Sequence, residues 1–191
     1  MRQIRGFTLI ELLVTLLVAA IVVTWAVPDF RAMINNNRML SQANELVVAI
    51  NMARSAAVTR GMPVTVCASA NGRSCSQSAS WGTGWIVFTD SDTGTAGTVD
   101  GTDQVIRSWA ALSGSSTLTG TEIDSSQNTV SSNVVYLRYL PSGLLGNTPA
   151  SGDQYRFHLG PPGPCTGGEQ SRNIDINPVG RPASAVAASC P

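Results

Sequence analysis

Along the chain the spacing of apolar residues changes twice, and the three regimes predict three kinds of structure. From Phe7 to Val27 the sequence FTLIELLVTLLVAAIVVTWAV is apolar almost without interruption. At about 1.5 Å per residue a helix of that length reaches roughly 30 Å, the thickness of a bilayer core. From Asp29 to Arg60 apolar residues recur at Leu40, Ala43, Val47, Ile50, Ala53 and Ala57, with Asn, Arg and Ser between them. Three- and four-residue spacing marks an amphipathic helix with one face to pack on a sheet. Pro28, between the two, removes a helical hydrogen bond and predicts a kink or local melting. Gly61 followed by Pro63 is a stop signal. Phe7 to Arg60 therefore reads as one long helix, interruptible at Pro28.

After Gly61 the period becomes two. Pro63 to Ala68, Trp85 to Thr89, Gln104 to Trp109, Val134 to Leu140, Gln154 to Leu159 and Arg172 to Asn177 read as strands separated by Gly, Ser, Pro and Asp clusters. Trp85 alternates with Val87, and Ile86 with Phe88, so that strand should be buried on both faces. The Ser-, Thr- and Gly-rich pieces read as long surface loops, and no internal repeat is present. The expected fold is α+β, a long N-terminal α-helix packed on antiparallel β-sheet. About 130 residues lie beyond the helix, enough for one compact domain.

One charge breaks the first apolar run. Glu11 would cost on the order of 2.5 kcal/mol or more if left ionised in lipid, so it calls for a partner, and a free amine fits best. The residues before it can supply one: Arg2 and Arg5 form a basic leader, and cleavage after the small Gly6 would make Phe7 a new N-terminus. An ordinary secretory signal would have a shorter apolar region and a small-x-small site beyond it, of which Thr24-Trp25-Ala26 is a passable version. A plain single-pass anchor agrees with two arginines ahead of the run but leaves Glu11 without a role.

Gly6-Phe7-Thr8-Leu9-Ile10-Glu11 behind a basic leader resembles the class III signal of the type IV pilin and type II secretion pseudopilin superfamily. The resemblance implies that a prepilin peptidase removes residues 1–6 and that Phe7 is N-methylated. It implies a transmembrane part over residues 7–27, an amphipathic part over 28–60 and a periplasmic β-rich domain over 61–191, held in the bacterial inner membrane by a single pass. It also implies that Glu11 pairs with the N-terminal amine of a neighbouring subunit. Trp81-Gly82-Thr83-Gly84-Trp85-Ile86-Val87-Phe88-Thr89-Asp90 narrows this, being similar to a stretch of the FimT/FimU minor pilins and secretion pseudopilin H. Asp100 to Arg107, Leu140-Pro141-Ser142-Gly143 and Asn177-Pro178-Val179-Gly180-Arg181 resemble later turns of that group.

The group implies a structural subunit without a cofactor. Its expected role is a minor pilin in a priming or tip complex with other minor pilins and the major pilin, built on an inner-membrane assembly platform and supporting twitching motility and adhesion. Two alternatives accompany it: a pseudopilin H in protein export, and a DNA-binding minor pilin for natural transformation. The DNA-binding branch carries Gly-Arg-x-Arg near its C-terminus. Here Arg181 matches the first arginine and Ala183 replaces the second, with only Arg172 nearby. Phosphate affinity grows with each cation presented, so Arg181 is a weak DNA-binding candidate and the structural branch is preferred.

Composition adds bounds. Charged residues are 13% of the chain, formal net charge is zero, and all twelve basic residues are Arg. No broad nucleic-acid surface is advertised. Cys67, Cys75, Cys165 and Cys190 behind a membrane-targeting segment point to two disulfides in an oxidising compartment. Three connectivities exist; Cys67 with Cys75 and Cys165 with Cys190 are preferred. With His158 the single histidine and no CxxC, a zinc site is not expected. Asp90, Asp92, Asp100 and Asp103 raise calcium, but an EF-hand loop begun at Asp90 has Gly101 where a carboxylate is required. Asx-turns account for the same residues. Trp81, Trp85 and Trp109 read as core rather than as an aromatic binding surface, and His158 as a sheet residue rather than a general base. No nucleophile elbow, phosphate loop or paired-His motif appears, and an enzyme is not expected.

Overall fold

The computed structural model describes residues 6–91, 94–147, 149, 153–161 and 170–187, apart from the side chains at 25, 28 and 29. Its first element, α1, is a helix of 52 residues, Leu9–Arg60. The helix starts two residues later than expected because Thr8 takes an extended conformation (φ −83°, ψ 152°) and its Oγ1 accepts the Glu11 N–H at 3.3 Å. That is an N-cap, satisfying one of the donors a helix start leaves open. Helical backbone continues through position 28 without interruption. At the other end Gly61 adopts a left-handed conformation (φ 66°, ψ 24°), and its N–H reaches the Ala57 carbonyl.

The buried stripe of α1 is Met39, Ala43, Leu46, Ile50, Ala53 and Ala57, flanked by Gln42 and Ala49. The expected stripe is corrected at two positions. Leu40 is 39% exposed and Val47 only borders the core. One residue turns a helix by about 100°, so Leu40, one step beyond Met39, faces away from the sheets.

Nine strands follow: β1 (Val64–Ala68), β2 (Trp85–Thr89), β3 (Val105–Trp109), β4 (Thr117–Ile123), β5 (Thr129–Ser131), β6 (Tyr136–Tyr139), β7 (Gln154–Gly160), β8 (Arg172–Ile176) and β9 (Pro182–Val186). They form two antiparallel sheets, in the orders β3-β2-β1-β6 and β5-β4-β7-β8-β9. Six strands lie where the period-two reading placed them. β4, β5 and β9 fall in segments read as loops. In β4 the inward positions are Leu118 and Gly120, and the glycine erases the alternation. The space there is tight: a Cβ would lie 3.0 Å from both the Phe157 ring and the Val134 Cβ. β5 has only three residues, and β9 is a largely exposed edge strand of small residues, so neither needs an apolar pattern.

The main core lies between α1 and the sheets and is centred on fully buried Trp81, Trp85, Leu137, Tyr139 and Phe157. Trp81 meets Phe157 edge to face, with centroids 4.8 Å apart, and donates Nε1–H to the Val134 carbonyl at 2.8 Å. A smaller cluster, Cys67, Ile86 and Phe88 with Cys75, Val99 and Tyr136, covers the opposite face of the first sheet. β2 is therefore buried on both faces, as its sequence predicts. Trp109 differs from its two partners. It is only partly buried, stacked on Trp85 at 6.2 Å with the Arg107 guanidinium 4.8 Å from its ring centre.

Candidate assembly surface

Every described side chain from Gly6 to Thr24 is exposed, on all sides of the helix. Phe7 is 82% and Leu9 79% accessible. A helix that is apolar all round requires a surrounding apolar phase or other helices, and none of the described residues of the globular domain covers this one. Among the described residues no helix is long and apolar enough to cross a membrane. Leu9 to Thr24, the apolar part with described side chains, is sixteen residues, or roughly 24 Å of helix against the ~30 Å of a bilayer core.

Gly6 and Phe7 precede the Thr8 cap in exposed, non-helical backbone, open to a peptidase. Arg2 and Arg5 lie outside the described residues. Glu11 occupies the first helical turn, where the positive end of the helix dipole favours a carboxylate by about 0.3–1 kcal/mol. Among the described residues its side chain has no ion-pair partner. Further along α1, Phe30, Met33, Ile34 and Val48 are also exposed, which extends the apolar surface into the globular half.

On the domain, Cys67 and Cys75 form a disulfide, S–S 2.05 Å, that closes a loop over the back of the first sheet. Within that loop the Asn71 Oδ1 accepts the Arg73 and Ser74 N–H groups at 2.8 and 2.9 Å. Cys165 and Cys190 lie outside the described residues.

The aspartate loop is tied to its own backbone. Asp90 is 1% exposed; its Oδ2 accepts from Thr65 Oγ1 at 2.5 Å and from the Gly97 N–H at 2.9 Å. Asp103 receives the Ser91 and Asp100 N–H groups, and Asp100 that of Thr95. Asp92 lies outside the described residues. Arg138 on β6 completes the arrangement, a pairing that no local sequence pattern signals because its partner is 48 residues away. Its Nε lies 3.2 Å from Asp90 Oδ2, an ion-pair distance not aligned as a hydrogen bond, while Nη2 donates to the Asp90 carbonyl at 3.3 Å. Among the described residues no group of three acidic, His or Cys side chains is placed to hold a metal.

Arg181 lies in the β8–β9 hairpin. Its N–H donates to Asn177 Oδ1 at 2.8 Å and its carbonyl accepts the Asn177 N–H at 3.2 Å, while the side chain is exposed. Gly180 before it has φ 78°, and its carbonyl accepts the buried Tyr139 hydroxyl at 2.8 Å. The Gly-Arg pair thus builds a turn. Arg172 sits at the far end of β8, opposite Val186, about 13 Å along the strand at ~3.3 Å per residue. Arg156, on the adjacent strand, is engaged by Asp175 through two 2.7 Å contacts, and that bond raises its pKa. The structure does not gather these cations into a phosphate-binding patch.

His158 lies on β7 with Nδ1 2.8 Å from Asn173 Oδ1, while Nε2 is buried without a hydrogen-bond partner among the described residues. Burial raises the phenol of Tyr139 well above its ordinary value, with a small opposing effect from Arg54.

Comparison with known proteins agrees with this geometry. A family model described as "Type II transport protein GspH" matches residues 42–180, and one for the prokaryotic N-terminal methylation motif matches residues 1–27. No curated protein sequence matches. The fold is similar to that of the type IV minor pilin FimU of Pseudomonas aeruginosa strain PAO1, with a TM-score of 0.56 and 19% identity over 81% of this chain and 96% of that one. A second crystal form of FimU gives 0.51 and 19% over 80% and 99%. The minor pseudopilin EpsH of the Vibrio cholerae type 2 secretion system aligns over 79% of this chain and 97% of that one at 10% identity; its TM-score of 0.44 carries no weight.

Proposed function

The chain belongs to the type II transport protein GspH family, and from that premise we propose that it is a minor type IV pilin in a priming or tip complex that starts polymerisation of the major pilin. At the coarser level it is a pilin-like structural subunit and not an enzyme. One observation carries the reading: an apolar helix, exposed on every side, is headed by an N-terminal methylation motif and bears one carboxylate in its first turn.

The proposed sequence of events follows from the energetics of that helix. A prepilin peptidase cleaves between Gly6 and Phe7 and methylates the Phe7 amine, and the segment from Phe7 to Val27 holds the subunit in the inner membrane. Lipid tails are as apolar as leucine, so moving the helix from bilayer to fibre changes the hydrophobic contribution little. Glu11 decides the outcome. Left alone in an apolar phase it costs on the order of 2.5 kcal/mol or more, and a neighbour's N-terminal amine removes that penalty for both charges. The pairing also fixes the axial register of neighbouring helices.

Glu11→Ala is the test. Membrane insertion should be intact while incorporation into fibres falls about tenfold; unchanged incorporation would contradict the pairing. A second reading, a pseudopilin in protein export, is favoured by the description of the matching family. Deleting the gene separates the two: lost surface fibres support the pilus, and lost export with normal fibres supports secretion.

A further inference from the structure

β3 ends the first sheet, and its outer side is open. In an antiparallel ladder, opposed residues alternate between pairs that exchange both bonds and pairs whose N–H and C=O groups turn outward. The Ser69 N–H donates to the Gly84 carbonyl at 2.8 Å, one step beyond Ala68 opposite Trp85. By that alternation Ile86 also bonds toward β1, while Trp85 and Val87 bond toward β3. Ser108 stands opposite Ile86, so its N–H and carbonyl turn away from the sheet, and the residue is exposed. The other edge of the sheet is closed by its own chain. Beyond β6 the Gly146 N–H donates to the Arg138 carbonyl at 2.7 Å, and Asn147 Oδ1 accepts the Arg138 N–H at 2.6 Å. Among the described residues no strand pairs with the outer side of β3.

Space and charge both suit an added strand. A groove of about 430 Å³ separates residues 108–113 from Arg38, Ser41, Gln42 and Glu45 of α1, so a strand laid along β3 does not run into the helix. The bulge in the β2–β3 pairing lies at the Val105 end and leaves Arg107, Ser108 and Trp109 in register. Arg107 is exposed on the helix side, with its guanidinium folded onto the Trp109 ring. Arg73 is exposed on the back, next to Gly72, where a Cβ would lie 3.5 Å from Ser108 Cβ. With Arg38, these cations outnumber the single carboxylate, Glu45, among the described residues bordering this stretch. A charge on an edge strand discourages indiscriminate pairing, and here its sign selects an acidic partner. A second copy of the chain does not qualify. Bonding two β3 edges together takes a two-fold axis normal to the sheet, which would also set the two α1 helices antiparallel, whereas subunits in one membrane point the same way. We propose that the β3 edge receives an extended acidic segment of a different protein of the assembly, adding a strand to the four of the first sheet. The proposal rests on the reading of the chain as an assembling subunit, although the probe below binds or fails to bind without any fibre being formed.

The test uses the full chain in zwitterionic detergent micelles, labelled with ¹⁵N and titrated with the peptide acetyl-Val-Thr-Asp-Val-Glu-Val-amide. Saturable shifts centred on Ser108 and its β3 neighbours are expected, with a Kd on the order of 1 mM. A counterpart with lysine at both acidic positions should bind about tenfold more weakly or worse, and Arg107→Glu should reverse that preference. Ser108→Pro removes the outward N–H and should abolish binding. Proline is tolerated on an edge strand where the N–H faces solvent, so thermal unfolding of that variant should match the unsubstituted chain. Absence of saturable shifts, equal binding of the two peptides, an unreversed preference in Arg107→Glu, or unchanged affinity in Ser108→Pro would overturn the proposal. Any of these results leaves the Glu11 experiment, which measures fibre incorporation, unaffected.

Discussion

Asp90→Ala probes how the loop covering the first sheet is held. The substitution removes the acceptor of Thr65 Oγ1 and the Gly97 N–H, together with the charge facing Arg138, whose side chain is 15% exposed. Breaking a buried pair by deleting one partner costs about 3–5 kcal/mol. Residual access of Arg138 to water places the expected loss near the lower end, about 3 kcal/mol. For a domain of about 130 residues each kcal/mol lowers Tm by roughly 3–5 °C, so unfolding should move down by about 10–15 °C. Asp90→Asn, which keeps an acceptor and loses the charge, should cost about 2 kcal/mol. Thermal unfolding of the full chain in micelles, followed by near-ultraviolet circular dichroism with and without calcium, measures both. A loss below about 1 kcal/mol would refute the reasoning. So would a calcium-dependent Tm that Asp90→Ala abolishes, because Asp90 would then be a metal ligand rather than a loop clamp.

Two further outcomes follow from buried tyrosines and the hairpin turn. Burial raises the Tyr139 and Tyr155 phenols above 10.0 in the folded state; the unfolded chain then releases protons first as pH rises. Stability should be fully present below about pH 10 and fall above it, with both phenols ionising only on unfolding in a spectrophotometric titration; their ionisation in the native protein would contradict this. Gly180→Ala places a Cβ 2.6 Å from Tyr139 Cε1 at a positive φ, so urea unfolding should show a loss of about 1–3 kcal/mol, and a neutral effect would show that the turn yields.

Legibility in the sequence depended on how local each signal was. The helix, its Gly61 stop and β2 were readable because spacing within about ten residues determines them. Choosing Leu40 over Met39 was an error of one helical step, which a run rich in apolar residues on several faces does not resolve. β4 escaped because Gly120 yields its inward position to Phe157 of β7 and to Val134 of the β5–β6 connection. The role of Arg138 was invisible for the same reason: Asp90 and Arg138 meet only once β1 lies between β2 and β6. The turn role of Gly180 was readable, whereas its contact with Tyr139 was not. Gly6, Phe7 and Glu11 are the opposite case: they belong to a contiguous stretch that matches the N-terminal methylation motif, and recognising that motif needs no tertiary contact.

Mass spectrometry of the mature N-terminus tests the central claim most directly. The account predicts a chain that begins at Phe7 with a methylated amine, residues 1–6 having been removed. A chain that still begins at Met1, or one cleaved beyond the apolar run after Ala26, would contradict it.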